Sequence, residues 1–334
     1  LHSGPREAAM ILTVTPNPAV DWTVTTDSFA FDAVNVASGT TREASGKGIN
    51  VSVALQRNGV PTRALFPAGG GTGAFMTEQL AAMGVEAVAV PSGAEVRTNI
   101  TLRVPGHAGT KINEPGAPLG ENLARRLLDA VRAALTEALA AYDGGVTLAL
   151  CGSLPPGTPE WFHPALVSLG RELGAAVVVD ASGEVLSRAL AAGPGLVKPN
   201  VHELAAETGR VLDTVGDVVA AARELLARGA GAVLASLGAD GMVYVDADRA
   251  LHGRARDVRV LNTVGAGDAS LAGFLAACDG GAEPAECLAS AILYASSAVG
   301  HATTLFDVDP ALRDRITVTA EPDVTLALAE PARG

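Results

Sequence analysis

The segment "LNTVGAGDASLAGFLAA", Leu261 to Ala277, is a glycine-rich turn that opens directly into an apolar helix. At such a helix start the first N–H groups lack intrahelical partners, and together with the helix dipole they favour negative charge. Asp268 nevertheless stands where a resident anion would be repelled. The conflict disappears if the anion is transient. The amides of Gly265, Ala266 and Gly267 would then stabilise charge developing on a phosphoryl group in transfer. Asp268 would accept the proton of the attacking hydroxyl. By itself the tetrapeptide "GAGD" leaves open a plainer alternative, that Asp268 is a helix N-cap.

Three further stretches carry side chains able to hold a polar ligand. In "ASGKGINVSVAL", Gly46 and Gly48 bracket Lys47 ahead of a helix, so backbone and ammonium can approach a ligand closely. The spacing is not that of a Walker A loop, which needs Gly-Lys-Ser/Thr, and an exposed lysine in a glycine loop remains the alternative. In "LVKPNVHELA", Asn200 and Glu203 lie three apart at a helix start and share a face. They can orient a hydrated magnesium ion, or simply cap the helix. The turns in "CGSLPPG" and "ASLGADGMV" follow strands, where open α/β sheets bind ligands.

A competing motif is "GGGTGA", Gly69 to Ala74, which satisfies the Gly-x-Gly-x-x-Ala pattern of dinucleotide binding. A carboxylate should end the next strand to hold the ribose. Here "EAVAVPSG" ends in Pro91 and Ser92, which argues against a nicotinamide-dependent oxidoreductase.

These residues need a scaffold, and the chain's pattern supplies one. Short apolar runs ("MILTVT", "TRALFP", "VEAVAV", "VTLALCG", "AAVVVD", "GLVKPN", "GAVLASLG") alternate with amphipathic helices. Helices are predicted over Gly48–Asn58, over "GAFMTEQLAAMG" up to Gly84, and over Glu121–Ala141, where Leu123, Leu127, Val131, Leu135 and Leu139 recur at helical spacing. Repeated β-α order with continuous apolar strands predicts a parallel sheet covered on both faces. Two segments, 21–43 and 97–114, alternate in polarity without helical pattern and are expected to form a lid of short antiparallel strands. No linker divides the chain, so a single domain over 10–320 is expected. The opening "LHSGPREAA" reads as a tag remnant or ragged start outside the fold.

With 334 residues, 48% hydrophobic and 18% charged, the chain can bury a large core. Its net charge of -12 argues against nucleic acid or an anionic membrane as partner. No apolar run reaches the roughly 18 residues of a membrane helix. Cys151, Cys278 and Cys287 sit in apolar or small-residue settings and read as reduced thiols of a soluble, cytoplasmic protein.

In this order, "TVTPNPAVD", "GKGINV", "VRTNITL" with "TKINEPG", "GSLPPG", "VVVDASGE", "VKPNVHE", "SLGADG" and "NTVGAGD" resemble the PfkB family of the ribokinase-like superfamily. Within it the likeness is to the 1-phosphofructokinase and tagatose-6-phosphate kinase branch, and it covers nearly the whole chain from Met10. The resemblance implies a ribokinase-like three-layer α/β/α sandwich with a mostly parallel sheet and a small β-lid. It also implies phosphorylation of a sugar phosphate by ATP with Mg2+, and homodimers paired through their lids.

By position the resemblance makes Asp268 the catalytic base and Gly265, Ala266 and Gly267 the anion hole. Asp21 would bind sugar hydroxyls, Gly46, Lys47 and Asn50 form the substrate loop, Arg97 holds the substrate's phosphate, and Ser153 lines the substrate side. Lys198, Asn200, Ser236, Gly238 and Gly241 fall where the family binds ATP, and Asn200 with Glu203 matches its magnesium motif.

Three positions depart from the family pattern: Ser45 replaces the first glycine of Gly-Gly-Lys-Gly, Cys151 replaces a common serine, and Asn262 replaces a frequent Ser or Asp. The acceptor sugar is left open between fructose 1-phosphate, towards which "TKINEPG" inclines by likeness, and tagatose 6-phosphate or fructose 6-phosphate. A non-catalytic sugar-phosphate sensor would lack Asp268 and the magnesium motif, which are present.

Overall fold

The computed structural model describes residues 9–107, 109–301 and 303–334. The N-terminal segment read as a tag falls, apart from residue 9, outside them. Ten strands make the main sheet: β1 (Met10–Val14), β4 (Thr62–Ala68), β5 (Glu86–Pro91), β8 (Val146–Cys151), β9 (Ala176–Asp180), β10 (Leu196–Val197), β12 (Val233–Ser236), β13 (Met242–Val245), β14 (Ala250–Ala255) and β15 (Ile316–Thr319). Their order is β15-β14-β13-β12-β10-β9-β8-β1-β4-β5. Every pairing from β12 through β5 is parallel, and only β13, β14 and β15 add antiparallel edges.

The helices are α1 (Lys47–Arg57), α2 (Gly70–Ala82), α3 (Gly120–Ala141), α4 (Phe162–Leu173), α5 (Glu184–Ala191), α6 (Val201–Thr208), α7 (Val215–Ala227), α8 (Ala266–Asp279) and α9 (Pro284–Val299). Strand side chains alternate between faces. Met10, Leu12 and Val14 of β1 join the core under α3 to α7, whereas Ile11 joins the one under α1, α8 and α9. That is the expected three-layer sandwich. "GLVKPN" yields only a two-residue strand, because Pro199 has no N–H to extend the ladder.

The lid is a separate sheet in the order β3-β2-β6-β7, built from β2 (Ala19–Thr25), β3 (Gly39–Ser45), β6 (Arg97–Arg103) and β7 (Thr110–Asn113). The expectation of antiparallel strands holds for β2/β3 and β6/β7 but not for β2/β6, which pair in parallel. The cause is topological. β2 follows β1 and β6 follows β5, and both leave the same edge of a parallel sheet in the same direction. Beside the Gly238–Asp240 turn, β11 (Val211–Thr214) pairs with β16 (Ala327–Arg333), whose Leu328 and Ala332 are buried in the core, so the fold runs past the expected end at residue 320.

Helix α8 is anchored against α9 by a close approach: a Cβ on Gly273 would lie 2.5 Å from the Ser290 carbonyl oxygen. The C-terminal residue of α8 brings a cost. Burial pushes the Asp279 carboxyl up to about 6, opposed by the hydrogen bond it accepts from Thr147, and a negative charge at a helix C-terminus is itself unfavourable. Because the folded state holds this proton more tightly, the penalty is absent below about pH 4 and fully present above about pH 6. Asp279→Asn is therefore expected to stabilise the protein by about 2 kcal/mol at pH 8 and by nothing measurable at pH 4. Urea unfolding at the two pH values checks it.

Candidate active site

The chain runs β1, β4, β5 in one direction across the sheet and then β8, β9, β10, β12 in the other, so the strand order reverses beside β1. Ligands of open α/β sheets bind outside the carboxyl ends of the strands at such a reversal. Asn17 and Asp21 follow β1, Ser153 follows β8, Asp180 ends β9, Lys198 follows β10 and Ser236 ends β12. Short sequence motifs spread over more than 200 residues thus meet along one crevice.

At its centre, Gly265 is the N-cap of α8 in the left-handed conformation (φ 81°), and Asp268 lies in the first turn. The N-cap is Gly265 and Asp268 lies three residues further on, which removes the N-cap alternative. Its Oδ2 instead accepts a hydrogen bond from Asn50 Nδ2 at 2.7 Å. Burial, reinforced by the charge of Asp180, pushes the Asp268 carboxyl up to about 6, while Asn50, Lys198 and Lys47 pull the other way. Such a carboxyl is ionised at neutral pH yet basic enough to take a proton. Of the expected anion-hole amides, that of Ala266 donates to the Thr263 carbonyl at 3.3 Å. The Gly267 and Asp268 amides are beyond reach of any intrahelical carbonyl.

Lys47 and Lys198 converge on one carboxylate. Lys47 Nζ is 2.7 Å from Asp180 Oδ1, and Lys198 Nζ is 3.0 Å from Oδ2. Burial alone would raise the Asp180 pKa, but Lys198 and Lys47 outweigh it and hold the carboxyl below its ordinary range. Burial likewise opposes the charge on Lys47, yet Asp180, then Glu203 and Asp268, keep its pKa raised. A Cβ placed on Gly267 would sit 3.5 Å from Lys198 Nζ, so that ammonium faces the start of α8. The start of α1 needs its glycines: the N-cap Gly46 has φ 133°, and a Cβ on Gly48 would lie 2.5 Å from Thr15 Oγ1.

Asn200 and Glu203 form a reciprocal capping box, Asn200 N–H donating to Glu203 Oε2 and Glu203 N–H to Asn200 Oδ1. The box uses only Oε2 of Glu203; its Oε1 lies outside the cap, 4.0 Å from Lys47 Nζ. Among the described residues no cluster of three metal-ligating side chains exists. Any divalent ion here would be held largely through its own waters and a nucleotide's phosphates, as magnesium commonly is. An isolated bridge joins Asn200 to Ser236. Beyond Ser236 the chain makes a tight turn in which Gly238 (φ 60°) and Gly241 (φ 88°) need the left-handed region.

On the lid side, Asp21 accepts from Ser45 Oγ at 2.7 Å and from Asn99 Nδ2 at 2.9 Å. Arg97 donates to the Glu114 carbonyl at 3.0 Å, and its pKa is lowered by burial, against the charges of Asp21 and Glu114. Asn17 Nδ2 donates to Ser153 Oγ and to the Pro115 carbonyl, at 3.3 and 3.2 Å. The expected side chains fall into two groups: Asp21, Arg97 and Ser153 towards the lid, and Lys47, Asn50, Lys198, Asn200, Glu203, Ser236 and Asp268 at the carboxyl ends of the strands. The turn of Gly238 and Gly241 packs instead on Gly253, Arg254 and Ala329.

The dinucleotide alternative fails on a physical point. The α2 amides that would receive a pyrophosphate already hold a carboxylate: Glu95 accepts from Gly71 N–H, Thr72 N–H and Thr72 Oγ1.

The family description "pfkB family carbohydrate kinase" matches residues 17–310. The chain belongs to the pfkB family of carbohydrate kinases. It is 39% identical over 291 residues to a 1-phosphofructokinase of Rhodobacter capsulatus, covering 87% of this chain and 90% of that protein. It is 34% identical over 297 residues to a D-tagatose-1-phosphate kinase of Bacillus licheniformis, covering 88% and 92%. Among solved structures, phosphofructokinase-2 of Escherichia coli in complex with substrates and products superimposes with a TM-score of 0.82 at 32% identity, covering 91% of this chain and 98% of that one. This kinase is a phosphotransferase with an alcohol group as acceptor, and ATP is the phosphoryl donor of its family.

Sequence reading left three residues of this site without a role: Asp180, Asn17 and Asn99. Asp180 had a usable signal, a carboxylate closing the otherwise apolar run "AVVVD". Nothing in the sequence distinguishes Asn17 and Asn99 from ordinary loop and strand asparagines, because their partners lie 136 and 78 positions away.

Proposed function

We propose that this kinase is a 1-phosphofructokinase, converting fructose 1-phosphate and ATP to fructose 1,6-bisphosphate and ADP. The 6-hydroxyl oxygen attacks the γ-phosphorus of ATP, its proton passes to Asp268, and the bond from the γ-phosphorus to the bridging oxygen breaks to leave ADP. Asn50 donates to Asp268 Oδ2, which leaves Oδ1, among the described residues, as the oxygen with no protein hydrogen bond to lose on taking the proton. The observation that carries the proposal is this buried, singly hydrogen-bonded carboxyl in the first turn of α8, with two ammonium groups nearby.

The first-turn amides of α8 and Lys198 offset charge on the transferring group. Asp21 receives sugar hydroxyls, and Arg97 with Ser153 faces the phosphate the substrate already carries. Ser236, Gly238 and Gly241 form the turn over which the nucleotide lies. Magnesium fits the donor set: Glu203 and Asn200 would hold its hydration shell, and the ion would neutralise nucleotide phosphate charge. The lid excludes water from the transfer and so suppresses ATP hydrolysis.

We place the second copy of a homodimer on the lid. Phe31, Val34 and Val36, exposed by 86, 94 and 78%, and Ile112, at 60%, are apolar side chains that a partner lid would cover. Sedimentation of the intact chain tests it. Among the described residues no helix is long and apolar enough to cross a membrane. The free thiols fit a reducing compartment, and we assign the enzyme to the cytoplasm.

A coupled ADP-release assay across fructose 1-phosphate, fructose 6-phosphate, tagatose 1-phosphate, tagatose 6-phosphate and fructose tests the acceptor. The expected order puts fructose 1-phosphate first. Preference for another ketohexose phosphate overturns the named substrate, and equal activity on plain fructose overturns the phosphate clamp.

A further inference from the structure

Ser45 ends β3 at the root of the lid and is only 7% exposed. Its hydroxyl spends its donor on Asp21 Oδ2, at 2.7 Å, while Asn99 Nδ2 approaches Oδ1 at 2.9 Å. The two donors come from the two strands that flank β2 on either side, β3 and β6. Each carboxylate oxygen is thus bonded once by protein and keeps further acceptor capacity. Rotating the carboxylate about its Cβ–Cγ bond breaks both hydrogen bonds together, so its plane is fixed and the unused lone pairs point in set directions. A freely rotating carboxylate would follow a displaced hydroxyl; a fixed one does not.

We infer that Ser45 is a positioning residue that fixes the Asp21 carboxylate and thereby sets how strongly this kinase discriminates between ketohexose phosphates differing in the configuration of one hydroxyl. The inference deepens the proposed function and rests on Asp21 as the acceptor of sugar hydroxyls. Without a hydroxyl at position 45, Asp21 loses a hydrogen bond to a charged group and gains a rotational freedom that substrate binding must freeze. The nucleotide site shares no atom with this pair.

The test is steady-state kinetics of the full chain on fructose 1-phosphate and on its C4 epimer, tagatose 1-phosphate. Ser45→Ala, Ser45→Thr, Asp21→Asn and the double variant Asp21→Asn/Ser45→Ala are compared. Ser45→Ala is expected to raise the sugar KM about tenfold, with kcat within about threefold and the KM for ATP unchanged. The ratio of kcat/KM for the two epimers moves towards one. Ser45→Thr, which keeps the hydroxyl, restores both values. In the Asp21→Asn background, Ser45→Ala adds less than about twofold, because the group it acts through is already altered.

An unchanged sugar KM and epimer ratio in Ser45→Ala overturns the inference. So does an effect of equal size in the Asp21→Asn background, or a parallel rise in the ATP KM with a fall in Tm. If Asp21→Asn itself leaves the sugar KM unchanged, the assignment of Asp21 fails instead, and the two failures are told apart by that variant alone.

Discussion

Asp268→Asn lowers turnover by about ten-thousand-fold while ATP still binds. The size follows from removing a positioned general base, and the selectivity follows from location. The side chain sits in the first turn of α8 against Asn50 and takes no part in the turn that carries Ser236, Gly238 and Gly241. The variant is also expected to fold without loss of stability. The native carboxyl is buried and pushed up to about 6, so ionising it at neutral pH costs the folded state, and a neutral amide of the same shape avoids that cost. Single-turnover phosphoryl transfer, with ATP binding by fluorescence and a thermal melt alongside, checks all three parts. Near-normal turnover would falsify the assignment of the base. In the parent enzyme the same carboxyl gives a pH signature: kcat/KM falls as pH drops through about 6, because protonated Asp268 cannot accept the hydroxyl proton.

Asp180→Asn presents the opposite combination, with activity and stability failing together. Asp180 is 1% exposed and carries two ion pairs, one of them to Lys198, which is 4% exposed. Removing its charge leaves a buried ammonium without a partner and sets two cations against each other. Breaking buried pairs costs about 3 kcal/mol or more, and the partial exposure of Lys47 keeps the expected loss near that lower figure. The sign with pH is the reverse of that for Asp279. The Asp180 carboxyl is held below its ordinary range, so its contribution is present above about pH 4 and disappears as pH falls through the lower folded value. The variant and its parent therefore converge in stability towards acid pH. With both lysines displaced, turnover falls by about a hundredfold, the order expected when charged groups move by roughly an ångström from the reacting phosphate. Urea unfolding against pH, with kcat measured under conditions where the variant is folded, separates the two effects. A stable Asp180→Asn protein with unchanged kcat would leave the lysine pair without a function.

The two variants divide the crevice by physical role. Asp268 sits at a cost to stability, as a group proposed to take a proton must; Asp180 pairs with a lysine on each side and holds those groups still. Both are aspartates buried in the same crevice, and only their neighbours tell them apart.

The sequence alone determined a great deal. The alternation of apolar strands with amphipathic helices marked the seven parallel strands of the sheet and its two covered faces, because burial on two faces imposes patterns that are local in the chain; the antiparallel strands β13, β14 and β15 and the β11/β16 pair carried no such mark. The motifs "GAGD", "GKGIN" and "VKPNVHE" marked the loops of the crevice, since glycines and helix starts report their backbone conformation locally. Tertiary structure decided what those loops do. Whether Asp268 caps a helix or faces Asn50 depends on a residue 218 positions away. Whether "GGGTGA" receives a pyrophosphate depends on Glu95, which follows the next strand and fills the amides. The parallel pairing of β2 with β6 reflects where β1 and β5 end in space, and neither lid segment encodes it. Asp180 reads as one more strand terminus until Lys47 and Lys198 arrive from 133 positions before it and 18 after. Backbone conformation is written locally, whereas charge pairing is a matter of distance in three dimensions, and only the folded chain brings those charges together.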